Sequence, residues 1–105
     1  MTWKEMMMEN CGYKAMTTFW EDFSIADRFG ANAVQDTYNR VMKEWEGNVK
    51  YLTELVMVLN HKLWEHYNNN SPLAALYDEL WDKAATHCMD TFTGEDLDYY
   101  FRTTD

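Results

Sequence analysis

Histidine and glutamate side chains that lie close together in the sequence are the first candidates for chemistry. His61, Glu65 and His66 fall in one short stretch, and on a helix His61 and Glu65 would lie one turn apart. A neighbouring antiparallel helix could add a further ligand from His87, Cys88 or Asp90. The pattern matches neither the HExxH motif of zinc proteases nor the CxxC pairs of structural zinc sites. We therefore interpret His61 and Glu65 as a surface pair, with a metal site at His61, Glu65 and His66 as the alternative.

Nucleophilic and di-iron chemistry have weaker candidates in this sequence. Ser24 and Ser71 are the only serines, and Ser71 stands before Pro72, where it is better used as a helix cap. Cys88 follows His87, and adjacent side chains on a helix point about 100° apart. A di-iron site needs a Glu-x-x-His motif, which the sequence lacks, and there is no glycine-rich phosphate loop. We predict neither enzymatic activity nor a cofactor.

Carboxylates dominate the charge of the chain. The 105 residues include 18 acidic and nine basic ones, a formal net charge of −9. Such a field repels nucleic acid and favours a basic protein partner. From Asp78 to the end there are eight acidic and two basic residues, so the last third is the acidic part. The predicted partner contacts are Asp78, Glu79, Asp82, Asp90, Glu95, Asp96 and Asp98, and the alternative for the run from Asp90 to Asp98 is an ordinary solvated helix face.

The elements that would position these residues are helices. Glycine is sparse, with four residues, and there is one proline. Apolar residues recur with a helical period in five segments, which are predicted to begin near Thr18, Asn32, Asn48, Ser71 and Thr93. Thr18 and Glu21 have the spacing of a capping box, Gly30 and Gly47 are predicted stops, and the fourth segment runs to about Thr91. In the third segment Leu52, Leu55, Leu59 and Leu63 recur at helical spacing and residues 55–59 are apolar all round, which predicts a central helix buried on most sides.

These features predict an all-α fold, a compact bundle of four to five helices. Residues 1–17 lack clear periodicity and are predicted to form an N-terminal extension, with three alternatives: flexible, partly helical, or docked on the core. Residues 18–105 are predicted to form a single helical domain.

Cysteine content and hydropathy predict a cytoplasmic protein. Cys11 and Cys88 make no disulfide framework, and free thiols are usual in a reducing compartment. No apolar run approaches the length of a membrane span.

Most aromatic residues recur at helical spacing and are interpreted as core, but a surplus does not fit one inward stripe: Trp3, Trp20, Trp64, Tyr67 and Tyr99. Exposed aromatics are typical of a protein interface, and both a monomer and a homodimer remain open.

Three segments carry a resemblance to known proteins: Thr18–Gly30 (TFWEDFSIADRFG), Tyr51–His61 (YLTELVMVLNH) and Tyr100–Asp105 (YFRTTD). With them the chain looks like a group of small orphan proteins encoded on mobile elements of gut Firmicutes. In size and character it also resembles the type II-A anti-CRISPR proteins, which phages and other mobile genetic elements carry. The similarity covers most of the chain after residue 17 and includes no catalytic signature. Because that family is diverse in fold and mechanism, it transfers no functional residues.

The resemblance implies stoichiometric inhibition of a type II CRISPR (Cas) nuclease with its guide RNA. The acidic residues suggest how: as a nucleic-acid mimic that blocks target DNA binding, without direct contact between this chain and nucleic acid. Two alternatives stay open at this point. One is an accessory or regulatory protein of a mobile element that binds its own basic partner, and the other is a small metal-binding helical domain.

Overall fold

The computed structural model describes residues 13–104, with side chains from residue 18 onward, and in that range the chain forms five α-helices and no strand. The helices are α1 (Tyr13–Asp27), α2 (Ala31–Glu44), α3 (Val49–Asn68), α4 (Ala74–Thr91) and α5 (Gly94–Thr104). The predicted all-α bundle of four to five helices is confirmed. Residues 1–12, which make up most of the predicted extension, lie outside the described residues.

Helix α3 is the centre of the bundle. It packs most extensively against α4 and also contacts α1 and α5. Leu55, Val58 and Leu59 are completely buried, because the apolar residues of this helix face neighbours on several sides. The predicted central helix is therefore confirmed. Two charged residues of α3, Glu54 and Lys62, are buried with this core.

Local signals fix several helix ends as predicted. The side chain of Asn48 caps α3 and accepts a hydrogen bond from the Tyr51 backbone N–H at 3.0 Å, which satisfies an otherwise unpaired donor. Gly30 follows α1 with a φ of +102°, a conformation that glycine adopts without the steric penalty of a side chain. Helices α1 and α2 can therefore follow each other almost directly.

Three predicted helix starts were wrong. Helix α1 begins at Tyr13 rather than Thr18, since residues 13–17 include no glycine or proline that would stop it. Gly30, not Asn32, occupies the N-cap of α2, and its carbonyl accepts the Val34 N–H at 3.1 Å. Helix α4 begins at Ala74, because the residues after Ser71 first form a tight turn in which the Ala74 N–H donates to the Ser71 carbonyl at 3.2 Å.

The aromatic residues divide between the core and the surface. Phe19, Phe23 and Tyr77 are buried, as their helical spacing predicts. Trp64 and Tyr67 are exposed at 53% and 62% and form an edge-to-face pair with ring centroids 5.6 Å apart. Over the described part of the chain, no helix combines the length and the apolar character that a membrane crossing requires.

Candidate functional site

The acidic surface comprises the seven carboxylates predicted from the sequence, and the structure places every one of them at an exposed position. Four lie on α4, where Asp78, Glu79, Asp82 and Asp90 fall within about 120° of arc at 100° per residue. Four of the five buried residues of α4, Tyr77, Leu80, Ala84 and Cys88, lie on the opposite side, and the fifth, Ala85, lies at the edge of the acidic arc. Asp78 and Asp90 are separated by about 18 Å along the helix axis.

The other three carboxylates of the acidic surface lie on α5. Glu95 and Asp96 occupy its first turn, and Asp98 follows. Carboxylates in a first turn interact favourably with the positive end of the helix dipole, so these residues also stabilise α5. Between Asp78 and Thr104 the only basic residues are Lys83 and Arg102. Lys83 is paired with Glu79 at 2.9 Å, with both side chains more than half exposed.

The residues of the alternative metal site point to other partners. His66 Nε2 lies 3.0 Å from Asp27 Oδ2, and His66 Nδ1 lies 2.8 Å from Ser71 Oγ. Glu65 Oε2 lies 3.3 Å from Lys62 Nζ. Burial lowers the pKa of His61, which keeps that imidazole neutral at pH 7. Within residues 13–104 no group of three or more His, Cys, Asp or Glu side chains is arranged to hold a metal ion.

The Asp27 cluster, formed by Asp27, Lys62, His66, Ser71 and Tyr77, was not predicted from the sequence. Lys62 Nζ lies 2.7 Å from Asp27 Oδ2, and only 1% of the lysine side chain is exposed. The Tyr77 hydroxyl donates to Asp27 Oδ1 at 2.5 Å. Burial, together with this hydrogen bond, raises the pKa of Tyr77 far above its usual value. One carboxylate at the end of α1 therefore connects residues of α3 and α4.

Within the Asp27 cluster, Ser71, His66 and Asp27 follow one another in the order of contacts that a hydrolase triad uses. The nearby backbone donors are engaged, however. The Leu73 N–H donates to Ser71 Oγ at 3.2 Å and the Ala74 N–H to the Ser71 carbonyl, also at 3.2 Å, so neither is directed at an oxyanion. Asp27 is shared with Lys62 and Tyr77. This arrangement suits a polar clamp between three helices better than nucleophilic catalysis.

The other nucleophile candidates are held in structural roles. Cys88 is 1% exposed, and burial raises the pKa of its thiol to about 12. The reactive thiolate is therefore scarce at neutral pH. Ser24 Oγ accepts a hydrogen bond from Lys62 Nζ at 3.3 Å. Cys11 lies outside the described residues.

One sequence signal could have revealed the Asp27 cluster. Leu55, Leu59 and Lys62 follow the i, i+4, i+7 spacing of an inward helical face, so a lysine stands where the pattern requires an apolar residue. A buried lysine needs an anionic partner. The sequence does not identify that partner, because Asp27 lies 35 positions before Lys62.

Comparison with protein-family models, curated proteins and solved structures finds no match for this chain. Its function must therefore be inferred from its own residues.

Proposed function

We propose that this chain is an anti-CRISPR protein, which inhibits a type II RNA-guided nuclease by stoichiometric binding. The observation that supports the proposal most directly is the acidic surface. Its seven carboxylates are all exposed, and four of them share one face of α4. In this role the protein acts as a partner and not as an enzyme, so inhibition saturates when inhibitor and nuclease are equimolar.

Spacing makes these carboxylates suitable substitutes for phosphates. Duplex DNA carries one charge per about 3.4 Å along each strand. Asp78 and Asp82 are one helical turn apart, which corresponds to about 6 Å. A row of helical carboxylates therefore presents charges at a spacing that a basic groove can accept. Because both the groove and the acidic surface are exposed to solvent, the attraction weakens as salt is added.

The nuclease has basic surfaces that suit such a ligand. RNA-guided nucleases hold the guide–target duplex in a positively charged channel and read a short flanking motif with arginine side chains. In our proposal the acidic surface occupies the motif-reading site or the target channel, and target DNA is excluded. The guide RNA stays bound, because inhibition concerns only the entry of the target.

The test is a DNA-cleavage assay with a guide-loaded type II nuclease and increasing amounts of this protein. The informative variant combines Asp78→Asn, Asp82→Asn and Asp90→Asn. Its matched control combines Glu21→Gln, Asp36→Asn and Glu46→Gln, which removes the same charge from exposed positions on or beside the first two helices. We expect the first triple variant to lose between about threefold and 150-fold in inhibition, since each screened charge contact contributes about 0.2 to 1 kcal/mol, and the second to lose much less. Equal losses in the two would refute the acidic surface as the contact region.

A second function that the same surface fits is binding to a basic protein of a mobile genetic element. Such an accessory or regulatory protein would use the same carboxylates, because any nucleic-acid-binding groove is basic. Co-purification separates the two functions. Capture of the nuclease with full inhibition of cleavage supports the first, whereas lack of inhibition by a correctly folded protein refutes it.

A further inference from the structure

An aromatic cleft lies between α1, α2 and the first turn of α3, and it shares no lining residue with the acidic surface. It encloses a volume of about 260 Å³, and its lining includes Phe19, Asp22, Arg40, Glu44, Trp45 and Tyr51. A cleft of this size takes a single side chain or a small molecule. Neither the acidic surface nor the Asp27 cluster includes any of these residues.

Three aromatic rings form the walls of the aromatic cleft. The Tyr51 ring lies 4.2 Å from the Trp45 ring with an interplanar angle of 61°. Its contact with Phe19 is edge to face, with centroids 6.3 Å apart. Trp45 and Tyr51 are only partly buried, so their rings are the ones that an organic cation in the cleft can contact, and the face of an aromatic ring attracts a cation. The same chain already uses this interaction elsewhere, since Lys62 Nζ lies 4.6 Å from the centre of the Trp20 ring.

Two carboxylates, Asp22 and Glu44, line the aromatic cleft, and both form ion pairs with the side chain of Arg40. Arg40 Nη2 lies 3.0 Å from Asp22 Oδ2, and Arg40 Nη1 lies 3.3 Å from Glu44 Oε2. The Arg40 side chain is 54% exposed, so solvent screens both ion pairs and either is easily exchanged. Glu44 is also the last residue of α2, where the helix dipole adds negative potential.

We propose that the aromatic cleft binds a compact organic cation, a guanidinium or a methylated ammonium group, which takes the place of Arg40 at the two carboxylates. The rings supply cation–π contacts, and Asp22 and Glu44 supply the counter-charge. Arg40 then swings into solvent, at little cost because it is already half exposed. This site does not depend on the proposed inhibition of a nuclease, since it uses other helices and another ligand.

The test is an NMR titration with tetramethylammonium chloride and, separately, with N-acetyl-arginine amide. The signal is the indole N–H of Trp45, and the neutral isostere tert-butanol is the control ligand. We expect dissociation constants on the order of 1 mM for at least one cation, as a few weak cation–π contacts predict, and no saturable shift with tert-butanol. A saturable shift with either cation supports the proposal. Saturation by neither, or equal saturation by tert-butanol, overturns it.

Substitution of Arg40, which pairs with both carboxylates of the cleft, is the most specific test of the proposed site. Arg40→Gln releases both carboxylates and should tighten cation binding about fivefold, because the ligand no longer competes with an exposed ion pair. The matched control is Lys83→Gln, which removes an equally exposed pairing lysine from Glu79, and neither of these residues lines the aromatic cleft. It should leave binding unchanged. Weaker binding by the Arg40→Gln variant would overturn the assignment of Arg40 as a competitor.

Substitution of Trp45, one of the three aromatic residues that line the cleft, completes the test. Trp45→Leu should abolish the interaction, read from the Tyr51 signals. Should circular dichroism show that this variant is unfolded, Glu44→Gln is the replacement, since Glu44 lies on the surface at a helix end. We expect it to weaken binding about threefold through loss of one screened charge contact. Unchanged binding in a folded Trp45→Leu variant, or in Glu44→Gln, would contradict the proposed site.

Discussion

Substitution of Asp27 by asparagine tests the Asp27 cluster most directly. The change keeps the shape of the side chain, removes its charge and replaces one of its two acceptor oxygens with an NH2 donor. Lys62 is 1% exposed, and its ammonium group then has one remaining carboxylate, Glu65, at 3.3 Å. Since the Glu65 side chain is 42% exposed, water screens much of that attraction. The variant therefore leaves a buried ammonium without an adequate counter-ion.

The expected loss follows from measurements on buried pairs. Removal of one partner of a buried ion pair costs about 3 to 5 kcal/mol. We take the lower end, about 3 kcal/mol, because Glu65 remains. The matched control is Asp22→Asn on the same helix. Asp22 pairs with an Arg40 side chain that is 54% exposed, so this change should cost no more than about 1 kcal/mol.

Urea unfolding followed by circular dichroism measures both variants. With a slope near 1.5 kcal/mol per molar urea, a value in the usual range for a small domain, the midpoint should fall by about 2 M for Asp27→Asn and by less than about 0.7 M for Asp22→Asn. The slope itself should not change, because neither substitution alters the surface that unfolding exposes. Equal midpoints for the two variants would refute the conclusion that the Asp27 cluster stabilises the packing of the helices.

A double variant separates the ion pair from other effects of the substitution. Lys62→Met combined with Asp27→Asn removes both charges and keeps an unbranched apolar chain among the core residues. A buried pair replaced by neutral groups often costs little. The double variant should therefore be more stable than Asp27→Asn alone, and a double-mutant cycle gives the coupling energy. A double variant less stable than Asp27→Asn would contradict the explanation.

Three further predictions follow from single residues. Tyr77→Phe removes the hydroxyl that donates to the Asp27 carboxylate and should lower the free energy of unfolding by about 2 kcal/mol; a loss below about 0.5 kcal/mol in urea unfolding would be inconsistent with that bond. Burial raises the pKa of the Cys88 thiol to about 12, so its contribution to stability is complete below pH ~8.5 and is lost as pH rises toward the folded value. Between pH 8 and 10 the urea midpoint of the parent protein should therefore fall more steeply than that of Cys88→Ala, and parallel slopes would exclude this role. Gly30→Ala places a side chain at a φ of +102° and should cost about 1 kcal/mol or more, seen as a lower thermal midpoint; an unchanged midpoint would show that the turn can rearrange.

Local chemistry in the sequence was sufficient to predict that the helices form and which helix is central. The Asn48 cap, the Gly30 turn and the apolar period from Leu52 to Leu63 each depend on residues within a turn or two of each other. Interactions of that range are properties of the segment itself. The same reasoning failed at Thr18, Asn32 and Ser71, because several residues near a helix end can cap it, and tertiary contacts decide between them.

Exposure of the acidic surface was also predictable from the sequence. The apolar period of α4 fixes which side of the helix is buried, and the carboxylates of that helix then fall on the opposite side by geometry alone. Their role in binding a basic partner stays a prediction.

Only the tertiary structure determined the Asp27 cluster and the aromatic cleft. Asp27 meets His66 across 39 positions of the chain and Tyr77 across 50, and Arg40 meets Asp22 across 18. Helical periodicity defines the face on which each residue lies, but it does not determine which face of another helix packs against it. That choice depends on crossing angles and on the fit of side chains between helices. The sequence therefore predicted a bundle of four to five helices and the exposed carboxylates of α4, whereas the packing of the helices decided which charges became buried partners and where a cation could bind.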